Sequence, residues 1–229
     1  MNTFAIRSYL FSCPCHDKDT HQITVFTKTG CTFMTNMHSQ YEGQIKRIPY
    51  FKLEEKFLNY FGSRQRNHYV SVRDPFARFV SGFVTIFNEV KKDNQVYADR
   101  LHLPHFEAIM DSKDITHAFL ECHKIIKGDW SFDSPTATAY NLLYINKMIT
   151  EKNLKLIPYT SIGKLLENHG FYPDLNQFTY GPNFTNKNPV HLKNKLKKWI
   201  FLNKGIYAEI LDYLQEDIKI YQNFKITEI

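Results

Sequence analysis

Two short stretches of this chain combine cations, hydroxyls and a turn in a way that suits phosphate. In Thr27-Lys28-Thr29-Gly30-Cys31-Thr32, Lys28 supplies a full positive charge, Thr29 and Thr32 supply hydroxyl donors, and Gly30 permits a tight turn. Between a strand and a helix, such a turn directs successive backbone N–H groups at one anion. The second stretch runs from Arg73 to Ser81, with Gly82 beside the serine leaving room for close approach. A guanidinium at the end of a strand and a hydroxyl in the following helix can share one phosphate, the arginine as a planar fork and the serine as a neutral donor. Together the stretches imply a ligand with two separated phosphates. The first stretch taken alone reads more simply as a surface turn with a solvated lysine. The two together, each at a strand-to-helix junction, carry the argument.

The first stretch is not a Walker A loop: G-x-x-x-x-G-K-[ST] is absent, and Lys28 precedes Gly30 instead of following it. Cys13, Cys15 and His16 make half of a metal site, but no second pair stands at zinc-site spacing, and Cys122 with His123 is isolated. No metal is expected, and four cysteines in a chain of this size are expected to be reduced thiols.

The elements that must position these residues follow from patterning. Gln22 to Phe26 is a β-branched and aromatic run that leads through the first stretch into a helix from Phe33 to about His38. His68 to Val72 is a second strand, after which Asp74 is a good N-cap and Pro75 a good first helical residue. Phe76, Phe79, Val80, Phe83, Val84, Phe87 and Val90 then recur at helical spacing as one apolar stripe. Leu154 to Pro158 is a third strand, followed by a helix capped by Thr160 or Ser161 that reaches Asn168, with Gly170 beyond its end. Further helices are expected over 106–110, 117–127 and 136–150. A last one over 206–224 places Ile206, Ile210, Leu211, Leu214, Ile218 and Tyr221 on one face. Residues 180–189 read as an ordered loop. Strands followed by helices in succession predict an α/β architecture with a parallel sheet.

With 229 residues, 43% of them hydrophobic and 15% aromatic, the chain can bury a substantial core, which excludes the disordered and fibrous classes. No repeat or linker marks a second domain, so residues 1–229 are expected to form one. No apolar run approaches the roughly 18 to 20 residues of a membrane span, and the apolar N-terminal segment is too short for a secretory signal. A soluble, cytoplasmic protein is expected. The net charge of +6 suits an anionic ligand. Apart from the cluster Lys193, Lys195, Lys197 and Lys198 it is spread along the chain; such a cluster reads as a solvated helix face, and no nucleic acid is expected.

Thr27 to Thr32 resembles the 5'-phosphosulfate-binding loop of sulfotransferases that use 3'-phosphoadenosine 5'-phosphosulfate (PAPS). Val72-Arg73-Asp74-Pro75-Phe76-Ala77-Arg78-Phe79-Val80-Ser81-Gly82-Phe83 resembles their 3'-phosphate-binding segment and is most similar to that of the carbohydrate, Golgi-type members. Weaker likenesses extend over most of the chain. Leu156-Ile157-Pro158-Tyr159 is similar to the family's later strand, with Thr160 where an acidic residue is common. Asn183-Phe184-Thr185-Asn186-Lys187 resembles a loop that closes over the nucleotide, and Glu216 to Tyr221 a terminal Asp-aromatic helix.

The resemblance implies a P-loop-like three-layer sandwich with a central, mainly parallel sheet flanked by helices. It implies sulfuryl transfer from PAPS to a hydroxyl or amine of an acceptor, a carbohydrate above all, without metal. Lys28, as the catalytic group, would stand with Thr29, Gly30, Cys31 and Thr32 around the 5'-phosphate. Arg73 and Ser81 would hold the 3'-phosphate, Asn183 and Lys187 would close the site, and Phe33 would lie on the adenine or in the core. His38, Glu54, His68, His102, His105 and Asp129 all remain open as the general base. Two readings of other classes stand beside this one. A nucleotide kinase-like protein would need the missing Walker Lys-Ser/Thr, and a non-enzymatic anion- or glycan-binding module would use the lysine cluster.

Overall fold

A computed structural model describes residues 8–14, 20–26, 31–48, 68–92, 101, 103–125, 130, 132, 154–174 and 189–223. Among them the strands are β1 (Ser8–Pro14), β2 (Thr20–Phe26), β3 (Lys46–Ile48), β4 (His68–Val72) and β5 (Leu154–Pro158). The helices are α1 (Cys31–Gln40), α2 (Pro75–Lys91), α3 (Leu103–Met110), α4 (Ile115–Ile125), α5 (Ile162–Glu167), α6 (Pro189–Leu202), α7 (Lys204–Tyr213) and α8 (Gln215–Asn223). The chain is mixed α/β and mostly helical. Its contacts fall into two compact units, a sheet unit (Arg7–Arg73, Ala139–Thr179, Lys219–Ile229) and a helical unit (Met1–Ile6, Asp74–Thr138, Tyr180–Ile218).

The sheet runs β3-β1-β2-β4-β5. β2, β4 and β5 are parallel, with Gln22 level with His68 and His68 level with Leu154. Successive residues of the two central strands are buried on both faces, as parallel strands require: Ile23, Thr24 and Val25 of β2 and Val70, Ser71 and Val72 of β4 are all inaccessible. The expected mainly parallel sheet is present in β2, β4 and β5, and β1 departs from it by pairing antiparallel with both β2 and β3. An antiparallel neighbour can follow a short connection and needs no helical crossover. Five residues separate β1 from β2.

The core of the sheet unit joins Ile23 and Val25 of β2, Met34 and Met37 of α1, Tyr69 and Ile157 from the neighbouring strands, and Ile162, Leu165 and Leu166 of α5. Helix α1 starts at Cys31, two residues before the expected start, so its first turn follows Gly30 directly. A 3-10 turn, Tyr159–Ser161, precedes α5. Neither Thr160 nor Ser161 caps that helix as expected: Thr160 lies within the turn, and Ser161, at the cap position, makes no side-chain cap bond. Gly170 does end it, with a φ of 83° that lets the Phe171 N–H reach the Leu166 carbonyl at 3.0 Å. Phe171 thereby drops into the core, edge-on to Tyr41 at 5.2 Å between ring centres. The Tyr41 hydroxyl donates to the Tyr172 carbonyl and accepts from the Tyr172 N–H, each at 2.9 Å.

In the helical unit, Asp74 caps α2 by accepting the Ala77 N–H at 2.7 Å, with Pro75 as the first helical residue. The single apolar stripe read for α2 understates its burial, because Arg78, Gly82 and Ile86 on a second face are also inaccessible. Lys91 at its far end donates to the carbonyls of Met110 at 2.7 Å and Ser112 at 2.6 Å, a cation satisfying carbonyls at the C-terminal end of α3 and just beyond it. The helices expected over 106–110 and 117–127 run over 103–110 and 115–125; that over 136–150 lies outside the described residues. Pro189, expected in a loop, opens α6. The helix expected over 206–224 is two, broken at Leu214, whose φ of −92° and ψ of 4° leave the helical region.

Candidate functional site

Parallel strands end at one edge of a sheet, and in open α/β sheets ligands bind outside the carboxyl ends of the strands. At that edge β4 ends at Val72, level with Pro158 of β5. The register of β2 with β4, continued to the strand ends, brings Phe26 to the same level. The next residue along each strand is Thr27, Arg73 and Tyr159. Arg73 thus follows β4 at that edge, and in sequence the Lys28 stretch follows the neighbouring parallel strand β2.

Arg73 is half-buried, and its guanidinium carbon lies 5.0 Å from the centre of the Tyr159 ring. A guanidinium held over an aromatic face keeps its charge and gains orientation, since cation–π attraction does not use its N–H groups. Tyr159 is a neighbour that sequence reasoning did not single out; the signal was its position directly after β5. Among the other expected site residues, Lys28, Thr29 and Gly30 lie outside the described residues, as do Asn183 and Lys187. Cys31 and Thr32 form the start of α1, whose first backbone N–H groups have no acceptor within the helix. Phe33 is half-buried against the sheet core, and its ring tip would stand 3.6 Å from a Cβ added at Gly163. That is ordinary van der Waals contact, so the ring lies close against Gly163 without requiring a glycine there. Ser81, eight residues beyond Arg73, is buried in α2 of the helical unit, and its carbonyl accepts from the Thr85 hydroxyl at 3.0 Å.

The candidates for a general base are placed unevenly. His38 Nδ1 lies 2.6 Å from the Ile45 carbonyl, so its ring ties α1 to the turn before β3. His105 stands edge-on to Phe132, 5.4 Å between ring centres, in the helical unit. His68 opens β4, and Glu54, His102 and Asp129 lie outside the described residues. Cys122 is buried in α4; burial first, and then the charge of Glu121, push its thiol up to about 12, so it stays protonated at neutral pH and is no nucleophile.

One ionic pair escaped the sequence reading. Arg78 and Asp217 are both fully buried in the helical unit, with Arg78 Nη2 3.8 Å from Asp217 Oδ2. Among the described residues no three metal-ligating side chains converge, and no helix is long and apolar enough to cross a membrane. No family model matches the chain, and no curated protein or solved structure matches it either.

Proposed function

We propose that this chain is a PAPS-dependent sulfotransferase that acts on a hydroxyl or amine of a carbohydrate, built as a P-loop-like three-layer sandwich. The observation that carries the reading is the sheet edge: the Lys28 stretch and Arg73 follow adjacent parallel strands that end level with one another. The likeness of both stretches to the family's nucleotide segments supplies the identity of the ligand.

The edge fits an anion on its own chemistry. Arg73 brings a planar donor oriented by Tyr159, and α1 begins directly after Gly30 with N–H groups that the helix does not use. PAPS supplies the sulfuryl group. Lys28 and the N–H groups of the first stretch stabilise the charge that builds on the departing 5'-phosphate, and Arg73 fixes the 3'-phosphate so that attack and departure lie in line.

Calorimetric titration with adenosine 3',5'-bisphosphate in the absence of magnesium tests the reading. Micromolar or tighter binding is expected, weakened at least about ten-fold by Lys28→Ala and by Arg73→Ala, as suits the loss of a charge-assisted bond. Unchanged affinity in both variants would sink the site assignment, and a requirement for magnesium would favour the kinase-like reading. Transfer from labelled PAPS to a panel of glycans then identifies the acceptor.

A further inference from the structure

Helix α6 carries the cluster Lys193, Lys195, Lys197 and Lys198, for which the nucleotide reading has no use. Its inward face is set by Leu196 and Ile200, both fully buried, with Leu192 and Trp199 half-buried beside them. At about 3.6 residues per turn, the opposite face consists of His191, Asn194, Lys198 and Phe201, flanked by Val190, Lys197 and Leu202, and all seven are exposed. A helix whose apolar side packs inward should show water a polar side. This one shows Val190 at 68%, Phe201 at 43% and Leu202 at 73% exposure.

These apolar side chains stand among cations. Lys197 Nζ lies 5.5 Å from the centre of the Phe201 ring, and Asn194, Lys197, Lys198, Phe201 and Leu202 line one shallow hollow. Directly after Leu202 the chain turns at Asn203, whose side-chain amide donates to the Trp199 carbonyl at 2.8 Å, and α7 opens with exposed Lys204. Lys195 is engaged by Asp114 at 3.0 Å. No Asp or Glu occurs anywhere from residue 175 to residue 208, so the sequence around the face offers no acidic neighbour.

We propose that the outward face of α6, with the corner at Leu202, docks on an anionic lipid bilayer. Its lysines would meet headgroup phosphates and carboxylates, and Val190 and Leu202 would enter the acyl boundary beside Phe201, whose ring already packs on those of Phe76 and Tyr207 at 5.4 and 4.9 Å. Charge complementarity calls for a polyanion, and the aliphatic side chains choose among polyanions. A sulfated glycan or a nucleic acid supplies charge, and a sugar ring or a base can stack on Phe201. Neither gives Leu202 and Val190 an apolar phase to enter, whereas a bilayer interface supplies both. The inference is independent of the sulfotransferase reading, since none of these residues belongs to the edge that bears Arg73.

The test titrates the full chain with phosphatidylcholine vesicles, with and without phosphatidylserine, at low and at raised salt. Binding is expected to require phosphatidylserine and to weaken with salt. Lys197→Glu/Lys198→Glu is expected to weaken it more than about ten-fold, since each lysine near an anionic surface is worth about five-fold. Val190→Ser/Leu202→Ser is expected to weaken it several-fold at every salt concentration. All four positions are exposed, melting curves check that the variants fold, and the comparison of lipids and salts on the unsubstituted chain needs no variant. Failure to bind phosphatidylserine vesicles overturns the proposal. So does vesicle binding that the serine variant leaves unchanged, or binding to heparin or an RNA oligomer that phosphatidylserine vesicles cannot compete away.

Discussion

Arg78 and Asp217 form a buried pair at 3.8 Å, longer than a direct charge-assisted bond, so their attraction is chiefly Coulombic. Taking away one member of a buried pair leaves a charge in a low dielectric and costs about 3–5 kcal/mol, whereas replacing both by apolar groups of similar volume is often neutral. Asp217→Ala is therefore expected to lose about 3–5 kcal/mol in urea unfolding, and Arg78→Met/Asp217→Leu to recover most of that loss. A single variant that unfolds at the parent midpoint would remove the pair from the account of stability. The sequence held a signal for this residue: Asp217 falls between Leu214 and Tyr221 on the stripe that begins at Ile206 and Ile210. The stripe was read from apolar residues alone and so passed over Asp217 in favour of its neighbour Ile218. Arg73 was legible because a strand end, a cap and a proline followed one another without a gap. Tyr159 beneath it was not, since its meaning depends on β5 lying next to β4, a pairing across about 80 residues of chain that no local pattern encodes.

Helix starts show the same division between local and distant causes. Asp114 caps α4: one carboxylate oxygen accepts the Thr116 and His117 N–H groups at 2.9 Å each and the Thr116 hydroxyl at 2.7 Å, while the other meets Lys195 at 3.0 Å. These bonds, the His117 N–H above all and then the Thr116 hydroxyl, hold its carboxyl well below the usual carboxylate range. A folded value below the unfolded one means stability that is present above the unfolded pKa of about 3.9 and is lost as pH falls further. Asp114→Ala is expected to cost about 0.5–2 kcal/mol at neutral pH. Urea midpoints of variant and parent should converge steadily below about pH 4; a gap that stays constant into acid would exclude the cap as its source. Strands β4 and β5 and the start of α2 were read at their observed ends because β-branched runs, an Asp cap and a proline punctuate them. Strands β1 and β3 were not, since a short strand such as Lys46–Ile48 owes its existence to its neighbour in the sheet. The break at Leu214 escaped because the hydrophobic period continues through it.

At the scale of the whole chain, the aromatic content resolves into a specific assembly. In the helical unit Phe119 meets Phe83 at 4.8 Å and Trp130 at 5.6 Å between ring centres, with Phe79, Phe132 and Trp199 between 6.1 and 6.4 Å. Most of these rings stand edge to face, the arrangement their charge distribution prefers. Phe119→Ala leaves a void among rigid rings that cannot collapse into it, and a loss of about 3–5 kcal/mol in unfolding free energy is expected by denaturant titration. A loss below about 1 kcal/mol would mean that the neighbouring rings repack. The composition announced the core but could not say which rings share it, since Phe79 and Trp130 lie on separate segments of the chain. The chain's order also governs how the protein is made. Sheet and helical units alternate along it, so synthesis delivers part of one, part of the other, then the rest of each in turn. At about 5–20 residues per second, β4 leaves the ribosome several seconds before the partner strand β5 exists, and the aromatic core waits longer still for α6. A nascent chain therefore carries an unpaired strand edge and exposed rings through the middle part of its translation, an interval in which chaperone capture is favoured.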